Sequence, residues 1–210
     1  MQIFDAADLS AGDFKQILTF LRAGGVVGIP TDTAYGLAAD PFNETAVRKI
    51  FEIKGRPESR PILVLVDSME MLRQTAVDSE NAQMLARKFW PGPLTMIFPA
   101  LGTVPRLVTA GTGTIGVRWP RAEFPIKLIR AFGGPITATS ANKSGMPSAA
   151  KASEVREQLA MDLEMLIDGG TLLSPEGSTL LDLTQDPPRI LRDGPVSRAA
   201  LTEALNGYIQ

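Results

Sequence analysis

The side chains available for chemistry are limited, because the 210-residue chain contains no cysteine and no histidine. Nucleophiles activated by histidine, histidine general bases, and thiolate or imidazole metal sites are therefore excluded. Lysine, arginine, hydroxyl, amide, tyrosine and carboxylate side chains remain. This set suits catalysis by positioning and charge stabilisation, as in reactions at phosphorus, where the protein need not supply a nucleophile.

A pair of cations, Lys54 and Arg56, is the strongest candidate for such a role. Lys54 falls in the last turn of a predicted helix, where interaction with the helix dipole would by itself explain a cation. Arg56 lies beyond the helix end and is held by Pro57. Two cations two residues apart on an extended segment would point to the same side and grip one polyphosphate, the arginine in bidentate fashion and the lysine as a point charge.

A dense polar loop follows a short apolar run, since Thr31, Asp32, Thr33 and Tyr35 all precede Gly36. Strand ends in open α/β sheets face a crevice, which makes this loop a candidate substrate pocket. The alternative is that threonine and aspartate cap the next element while the tyrosine packs beneath it. The loop alone does not separate the two interpretations.

Polar or cationic groups recur at other predicted strand ends. They are Arg118, the Thr139-Ser140-Ala141-Asn142 segment, Ser178 and Arg192. We expect Arg118, stopped by Pro120, to be a fixed cation at a sheet edge. An exposed salt bridge or an ordinary turn explains each group singly. The recurrence is not explained in this way, and it favours a shared binding site.

The glycines Gly111, Gly113 and Gly116 match a GxGxxG pattern, but they precede a predicted strand instead of following one. Pro120 excludes the helix whose N-terminus would hold a pyrophosphate. The chain also contains neither GxxxxGKS nor GxxxxGKT. The sequence therefore argues against both a dinucleotide-binding fold and a P-loop.

Predicted strands and helices alternate along the chain, which indicates an α/β protein. Helices are expected to begin near residues 10, 43, 68, 79, 125, 152 and 197. Strands are expected at 2–4, before residue 30, and at 62–66, 94–98, 114–118, 135–138, 164–167, 179–183 and 189–191. No internal repeat, low-complexity tract or linker interrupts the pattern, so we expect a single domain over residues 1–210.

The charges nearly balance, with 21 basic and 23 acidic residues and a net charge of -2. This argues against a general nucleic-acid coat or a membrane-surface protein, although it is compatible with a local basic cleft. The N-terminus carries acidic residues where a signal peptide is basic, and no apolar run approaches membrane length. Together with the absence of cysteine, this predicts a cytoplasmic protein with no membrane partner.

Seven short motifs, taken in order, closely resemble the YrdC-domain family and, within it, the short single-domain members. They are PTDTAYGL, KGRP, WPGPLT, GVRWP, TSAN, STLLDLT and ILRDG, and they run across nearly the whole chain. The resemblance implies a YrdC-like fold, with a twisted mixed sheet flanked by helices around a concave cleft. It also implies synthesis of threonylcarbamoyl-adenylate from L-threonine, bicarbonate or CO2, and ATP, with release of pyrophosphate.

The resemblance assigns roles to residues that match the family's motifs. Lys54, Arg56, Ser140 and Asn142 match its KxR and SxN signature and would bind the ATP phosphates and Mg2+, with Lys54 and Arg56 as the catalytic pair. Thr114, Ser148 and Arg192 would complete the nucleotide site, and Thr31, Arg118 and Ser178 would hold L-threonine. The ATP phosphates, and not protein ligands, would hold most of the Mg2+.

The chain departs from the family pattern at two positions and at its end. Leu65 stands where long members carry a histidine, and Asp32 stands where glutamate is common. The chain ends soon after ILRDG, so the additional C-terminal domain of long members is not expected.

The implied chemistry is capture of CO2 by the threonine amine, followed by attack of the new carboxylate on the α-phosphorus of ATP. The product would modify adenosine 37 of ANN-decoding tRNAs through a separate transferase complex. One alternative is a relative that hydrolyses the adenylate or transfers carbamoyl groups. Another is an RNA-binding module, against which the acidic composition and the lack of interleaved aromatic residues count.

Overall fold

The structure is a computed structural model that describes residues 1–173, 177–207 and 209–210. Its strands are β1 (Gln2–Asp5), β2 (Val27–Ile29), β3 (Gly36–Ala38), β4 (Val64–Leu65), β5 (Leu94–Pro99), β6 (Thr114–Arg118), β7 (Ile136–Thr137), β8 (Thr139–Ser140), β9 (Met165–Asp168), β10 (Thr179–Asp182) and β11 (Arg189–Arg192). Its helices are α1 (Ala11–Arg22), α2 (Glu44–Lys54), α3 (Met69–Leu72), α4 (Glu80–Phe89), α5 (Arg106–Thr109), α6 (Glu123–Phe132), α7 (Ala152–Leu159) and α8 (Arg198–Leu205).

The strands form two mixed sheets. The first sheet has five strands in the order β1-β9-β2-β3-β8, and the second has six in the order β11-β10-β5-β6-β4-β7. Only Ala138 separates β7 from β8, so one extended segment leaves the second sheet and enters the first at this residue. The predicted α/β class is confirmed. The structure has two sheets where one twisted sheet was expected. The apolar pattern of a strand does not show which strands it pairs with, so the sequence could not show that β7 and β8 join different sheets.

Side-chain caps begin five of the seven helices that the sequence predicted, all except α6 and α7. Ser10 Oγ accepts from the backbone N–H of Asp13 at 3.1 Å, and Asp13 Oδ2 accepts from the backbone N–H of Ser10 at 3.2 Å, which is a capping box. Asn43 Oδ1 likewise accepts from the backbone of Ala46 at the start of α2. Gly55 ends α2 with a left-handed φ of 58°. This turn fixes the direction in which the KGRP motif leaves the helix.

Three short elements, β3, β8 and α5, were not predicted. They are too short to show a hydrophobic period of their own, and β3 exists because it pairs with β2 on one side and β8 on the other. The strand predicted over 62–66 shrinks to β4. Ile62, the first residue of the predicted strand, donates its backbone N–H to the carbonyl oxygen of Val108, which lies outside the sheet.

The core consists of two clusters of buried apolar side chains. One lies between the first sheet and helices α1 and α6, and it includes Ile17, Leu21 and Leu128. The other packs α2 and α4 against the second sheet and includes Ile50, Leu85 and Met96. Within the described residues, no helix is both long and apolar enough to cross a bilayer.

Candidate active site

A cavity of about 490 Å³ lies where the two sheets meet. Its volume falls within the range of small-molecule sites, roughly 300–1,000 Å³. Most residues that were predicted as ligands line it: Thr31, Arg56, Thr114, Arg118, Ser140, Ser148 and Arg192. Residues distant in the sequence are thus brought together, because the ends of β2, β6, β8 and β11 all reach this cavity.

The cavity also has an apolar wall, formed by Leu63, Ile97, Gly116, Ala138 and Leu180. Gly116 lies within β6, and a Cβ atom there would approach Leu63 Cβ at 3.3 Å. The missing side chain at this position therefore keeps part of the cavity open. An apolar wall beside cationic groups suits a ligand with a ring at one end and negative charge at the other.

Arg118 is held by the polar loop between β2 and β3. Its Nη1 donates to Thr33 Oγ1 at 2.9 Å and its Nη2 to Thr31 Oγ1 at 3.3 Å. Asp32 Oδ1 lies 3.5 Å from Nη1. The expected position at a sheet edge is wrong, because β6 lies between β5 and β4 and Arg118 is only 4% exposed. The loop thus orients the arginine, as a recognition loop would, and does not merely cap the next element.

The charges around Arg118 act in opposite directions. Burial lowers its pKa, the nearby Asp32 carboxylate raises it, and Arg192 lowers it. Both carboxylate oxygens of Asp32 and the Nε of Arg118 are buried without a hydrogen-bond partner in the described residues. An anionic ligand would offset the cost of burying this guanidinium beside a second one.

Arg56 reaches the cavity from the loop after α2. Its Nη1 donates to Thr139 Oγ1 and its Nη2 to the carbonyl oxygen of Pro61, both at 2.9 Å. Its Nε is buried and lacks a partner in the described part of the chain. Burial and the neighbouring Arg60 lower its pKa. Arg60 also lines the cavity, so two cations lie together here, as a polyphosphate site requires.

Lys54 does not line the cavity as Arg56 does, although the two side chains bond to the adjacent residues Ser140 and Thr139. Gly55 adopts a left-handed turn between them, so the segment is not extended as predicted. Lys54 is 3% exposed, and its ammonium donates to the carbonyl oxygens of Ser140 and Asn142 and to Asn142 Oδ1. Burial, followed by the charge of Arg56, lowers its pKa to about 7. Lys54 therefore joins the end of α2 to the loop that carries Ser140, and it lies outside the cavity lining.

Asn142 and Ser178 also lie behind the cavity wall. The Asn142 side-chain amide donates to the carbonyl oxygens of Lys143 and Met146 and so closes the loop on itself. Ser178 Oγ lies 2.6 Å from Thr95 Oγ1 and accepts from Arg192 Nη2 at 3.3 Å. In this structure both residues support the wall.

The cavity is strongly electropositive. Its cations are Arg56, Arg60, Arg118 and Arg192, and no carboxylate belongs to its described lining. Within the described residues there is also no group of three carboxylates that would hold a metal ion. Charge of this sign, with hydroxyl groups beside it, suits a polyanion that carries its own counter-ion.

The family model Sua5_yciO_yrdC, described as "Telomere recombination", matches residues 19–194. The chain belongs to the Sua5/YciO/YrdC family.

Two curated members of the Sua5/YciO/YrdC family are named threonylcarbamoyl-AMP synthase. The protein of Pyrococcus abyssi (strain GE5 / Orsay) is 46% identical over 176 residues, which cover 83% of this chain and 52% of that protein. The protein of Bacillus subtilis (strain 168) is 40% identical over 207 residues, which cover 96% of this chain and 59% of that protein. The chain thus spans just over half the length of these relatives.

A solved member of the Sua5/YciO/YrdC family has the same fold. The crystal structure of P. abyssi Sua5 complexed with L-threonine matches with a TM-score of 0.93 at 39% identity. The match covers 100% of this chain and 63% of that chain. The predicted family is therefore confirmed both in sequence and in fold.

Several cavity residues of this Sua5/YciO/YrdC member had no predicted role. Arg60 follows the KGRP motif closely enough that its charge was a usable signal. The apolar wall residues Leu63, Ile97 and Gly116 gave no such signal, because apolar residues in strands are ordinarily assigned to the core. Only the meeting of the two sheets shows that they face a cavity.

Proposed function

We propose that the chain is a threonylcarbamoyl-AMP synthase, a nucleotidyltransferase that acts on L-threonine, bicarbonate or CO2, and ATP. The observation that carries the proposal is the cavity with four arginines and no described carboxylate in its lining. Two groups of cations lie in it, one containing Arg56 and Arg60 and the other containing Arg118 and Arg192. Two anionic substrates would each find a cationic partner there.

In the proposed reaction the threonine amine forms an N–C bond with CO2 and loses a proton. One oxygen of the resulting carbamate then forms a bond to the α-phosphorus of ATP, and the bond to pyrophosphate breaks. Arg118 would pair with the threonine carboxylate, which leaves the amine free. Arg56 would neutralise charge that develops on the phosphoryl oxygens.

Lys54 would act in this scheme through the loop that it holds. Its ammonium fixes the carbonyl groups around Ser140, and Ser140 lines the cavity. A correctly placed loop lowers the entropic cost of orienting the triphosphate. Thr114, Ser148 and Arg192 would contact the nucleotide, and Thr31 the amino acid, since each of these residues lines the cavity.

Mg2+ is proposed to arrive as MgATP. Hydroxyl groups and guanidinium groups dominate the polar lining, and neither set provides the carboxylate oxygens that a protein magnesium site uses. When bound with ATP, Mg2+ would neutralise phosphate charge. The metal is therefore treated as part of the substrate.

The deciding experiment is to incubate the protein with ATP, Mg2+, bicarbonate and one amino acid at a time, and to measure pyrophosphate release and the nucleotide product. We expect pyrophosphate and threonylcarbamoyl-AMP with L-threonine, and neither when bicarbonate is omitted. Release of AMP without the carbamoyl adenylate would instead indicate adenylate hydrolysis. No pyrophosphate with any amino acid would refute the proposal.

Binding measurements separate a small-molecule enzyme from an RNA-binding module. A ligand that binds the folded state raises its melting temperature, so ATP should raise the melting temperature at ordinary salt. Tight tRNA binding with a steep salt dependence, without any thermal response to ATP, would favour the RNA-binding module.

We further propose that the protein acts in the cytoplasm and that its product passes to a tRNA-modifying transferase complex.

A further inference from the structure

Two buried hydroxyl groups meet beneath the cavity. Thr95 lies in β5 and is 0% exposed, while Ser178 lies just before β10 and is 3% exposed. Their oxygens are 2.6 Å apart, a distance typical of a strong O–H···O hydrogen bond. Thr95 shares a strand face with Ile97, two residues along β5, and Ile97 lines the cavity. The hydroxyl pair therefore lies directly behind the cavity wall.

Either hydroxyl can donate in this hydrogen bond, and the other contacts of the pair favour Thr95 as the donor. Thr95 Oγ1 has no second partner among the described residues, so its proton can be used only toward Ser178. Ser178 Oγ also accepts from Arg192 Nη2. When Thr95 donates, both lone pairs of Ser178 Oγ are occupied, and the Ser178 proton is directed away from Thr95 and Arg192. Gly177 and Leu180, close to Ser178 in the chain, line the cavity, so the Ser178 hydroxyl lies just behind the wall.

Ser178 also holds the arginine that faces the cavity. Nε and Nη2 of Arg192 both donate to the carbonyl oxygen of Ser178, at 3.0 and 2.9 Å. The guanidinium packs against Gly177, where a side chain would crowd it. A Cβ atom at this position would lie 3.3 Å from Arg192 Cζ. Arg192 is otherwise exposed. An exposed arginine loses much rotamer freedom when it binds an anion, unless it is already held in place.

We propose that Thr95 is a positioning residue for substrate binding. It contacts no substrate itself, but it fixes the Ser178 hydroxyl and, through Ser178, the guanidinium of Arg192 in the orientation that receives the nucleotide. The proposal rests on the proposed function in assigning ATP as the ligand of Arg192. The arrangement of the three side chains does not depend on that assignment.

The test compares Thr95→Val, which removes the hydroxyl at nearly constant volume, with Thr95→Ser, which restores it. We expect ATP to bind about tenfold more weakly to Thr95→Val, as the loss of one buried hydrogen bond implies, and near-normally to Thr95→Ser. Ser178→Ala should reproduce the valine variant. Thr75→Val is the control, because Thr75 is equally buried but its hydroxyl donates only to the carbonyl oxygen of Leu72.

A double-mutant cycle separates positioning from a general loss of structure. If Thr95 acts through Arg192, then Arg192→Ala alone and Arg192→Ala with Thr95→Val should bind ATP equally weakly. Losses that simply add, or normal ATP binding by Thr95→Val, would overturn the proposal. A Thr75→Val variant that loses ATP binding to the same extent would overturn it as well.

A measurement without any ligand keeps the inference independent of the proposed function. In nuclear magnetic resonance spectra the Nη2 protons of Arg192, which reach Ser178 Oγ, should exchange slowly in the wild type and in Thr95→Ser, and rapidly in Thr95→Val and Ser178→Ala. Failure of the wild type to bind ATP would count against the proposed function, and the Arg192 signal would still decide the positioning role. An Arg192 signal unaffected by Thr95→Val would refute the positioning role of Thr95.

Discussion

Lys54 Nζ donates to the backbone carbonyl oxygen of Asn142 at 2.8 Å and to its side-chain oxygen at 3.2 Å. A buried ammonium thus joins the last residue of α2 to a loop almost ninety residues further along the chain. The same lysine belongs to the motif that suggested a phosphate contact. In this structure Lys54 holds the loop beside the cavity. Because its ammonium is buried there, the stability of the protein should depend on pH.

The stability of the protein should depend on the protonation of Lys54. Its pKa in the folded state is about 7, against roughly 10.4 in an unfolded chain. Between these values the unfolded state binds more protons, so the free energy of unfolding should rise with pH, by at most about 1.4 kcal/mol per pH unit. Below pH 7 the lysine is charged in both states and contributes no slope.

Urea unfolding of the wild type and of Lys54→Met, from pH 6.5 to 9.5, measures this contribution. The free energy of unfolding of the wild type, minus that of Lys54→Met, should increase with pH, because the methionine variant lacks the titrating group. Lys49→Met is the matched control, since Lys49 is also in α2 but donates to the single carbonyl of Gly24. A slope that survives Lys54→Met would show that other groups produce it.

Arg56 should affect turnover more than nucleotide binding. Loss of one contact to charge that develops in the transition state typically costs roughly 3 kcal/mol, on the order of a hundredfold in rate. Arg56→Ala should therefore lower kcat by about this factor and change the affinity for ATP much less. Pyrophosphate release and nucleotide titration measure the two quantities. The fold should survive, because the Arg56 side chain packs at the cavity and not in either apolar cluster.

Arg48→Ala is the control for Arg56, because Arg48 is an exposed arginine paired with Glu58 on the same stretch of chain. It should retain normal turnover. Lys54→Ala should differ from both, with lower turnover and also a lower melting temperature, because the acceptors at Ser140 and Asn142 lose their partner. Normal turnover in a folded Arg56→Ala protein would remove Arg56 from the proposed mechanism.

Arg118→Lys should weaken threonine binding selectively. The lysine keeps the charge but cannot bind a carboxylate through two parallel hydrogen bonds. We expect the KM for L-threonine to rise at least about tenfold, in line with the loss of one charge-assisted hydrogen bond, while ATP affinity changes little. Arg130→Lys, in an exposed pair with Asp67, is the control. Equal losses for both substrates would mean that Arg118 does not define the amino-acid end of the cavity.

Gly116→Val should close the apolar part of the cavity. Its Cβ would lie 3.3 Å from Leu63 Cβ and 3.5 Å from Thr95 Cγ2, so the remaining methyl groups must project into free space or displace neighbours. ATP affinity should fall by more than about tenfold, or roughly 1.4 kcal/mol. Gly102→Val is the control, because a Cβ at Gly102 has nothing within 4 Å. Unchanged ATP binding in Gly116→Val would place the nucleotide elsewhere.

The sequence predicted those parts of the fold that depend on local physical chemistry. The Ser10 capping box, the Asn43 cap and the end of α2 at Gly55 are encoded in neighbouring residues. The strand at 114–118 was predicted with its correct bounds, because its apolar residues alternate and Pro120 follows. Arg118 and Thr31 were therefore placed at strand ends, and both line the cavity.

The remainder depends on contacts that no local pattern shows. The contacts of the Lys54 ammonium depend on the position of the Asn142 loop, almost ninety residues further along the chain. Ser178 turns toward Thr95 because β5 and β10 are paired, although they lie more than eighty residues apart. These partners become visible only when the sheets are assembled.

The segment from Ile136 to Ser140 belongs to both sheets, and Ala138, at the crossing, lines the cavity. Beside it the Thr137 hydroxyl accepts from the backbone of Ala39 at 2.9 Å and donates to the carbonyl of Leu37 at 2.9 Å. One continuous extended segment therefore contributes to both sheets at the cavity. A substitution that shifts this segment would therefore displace both walls of the cavity together, because the two sheets share it.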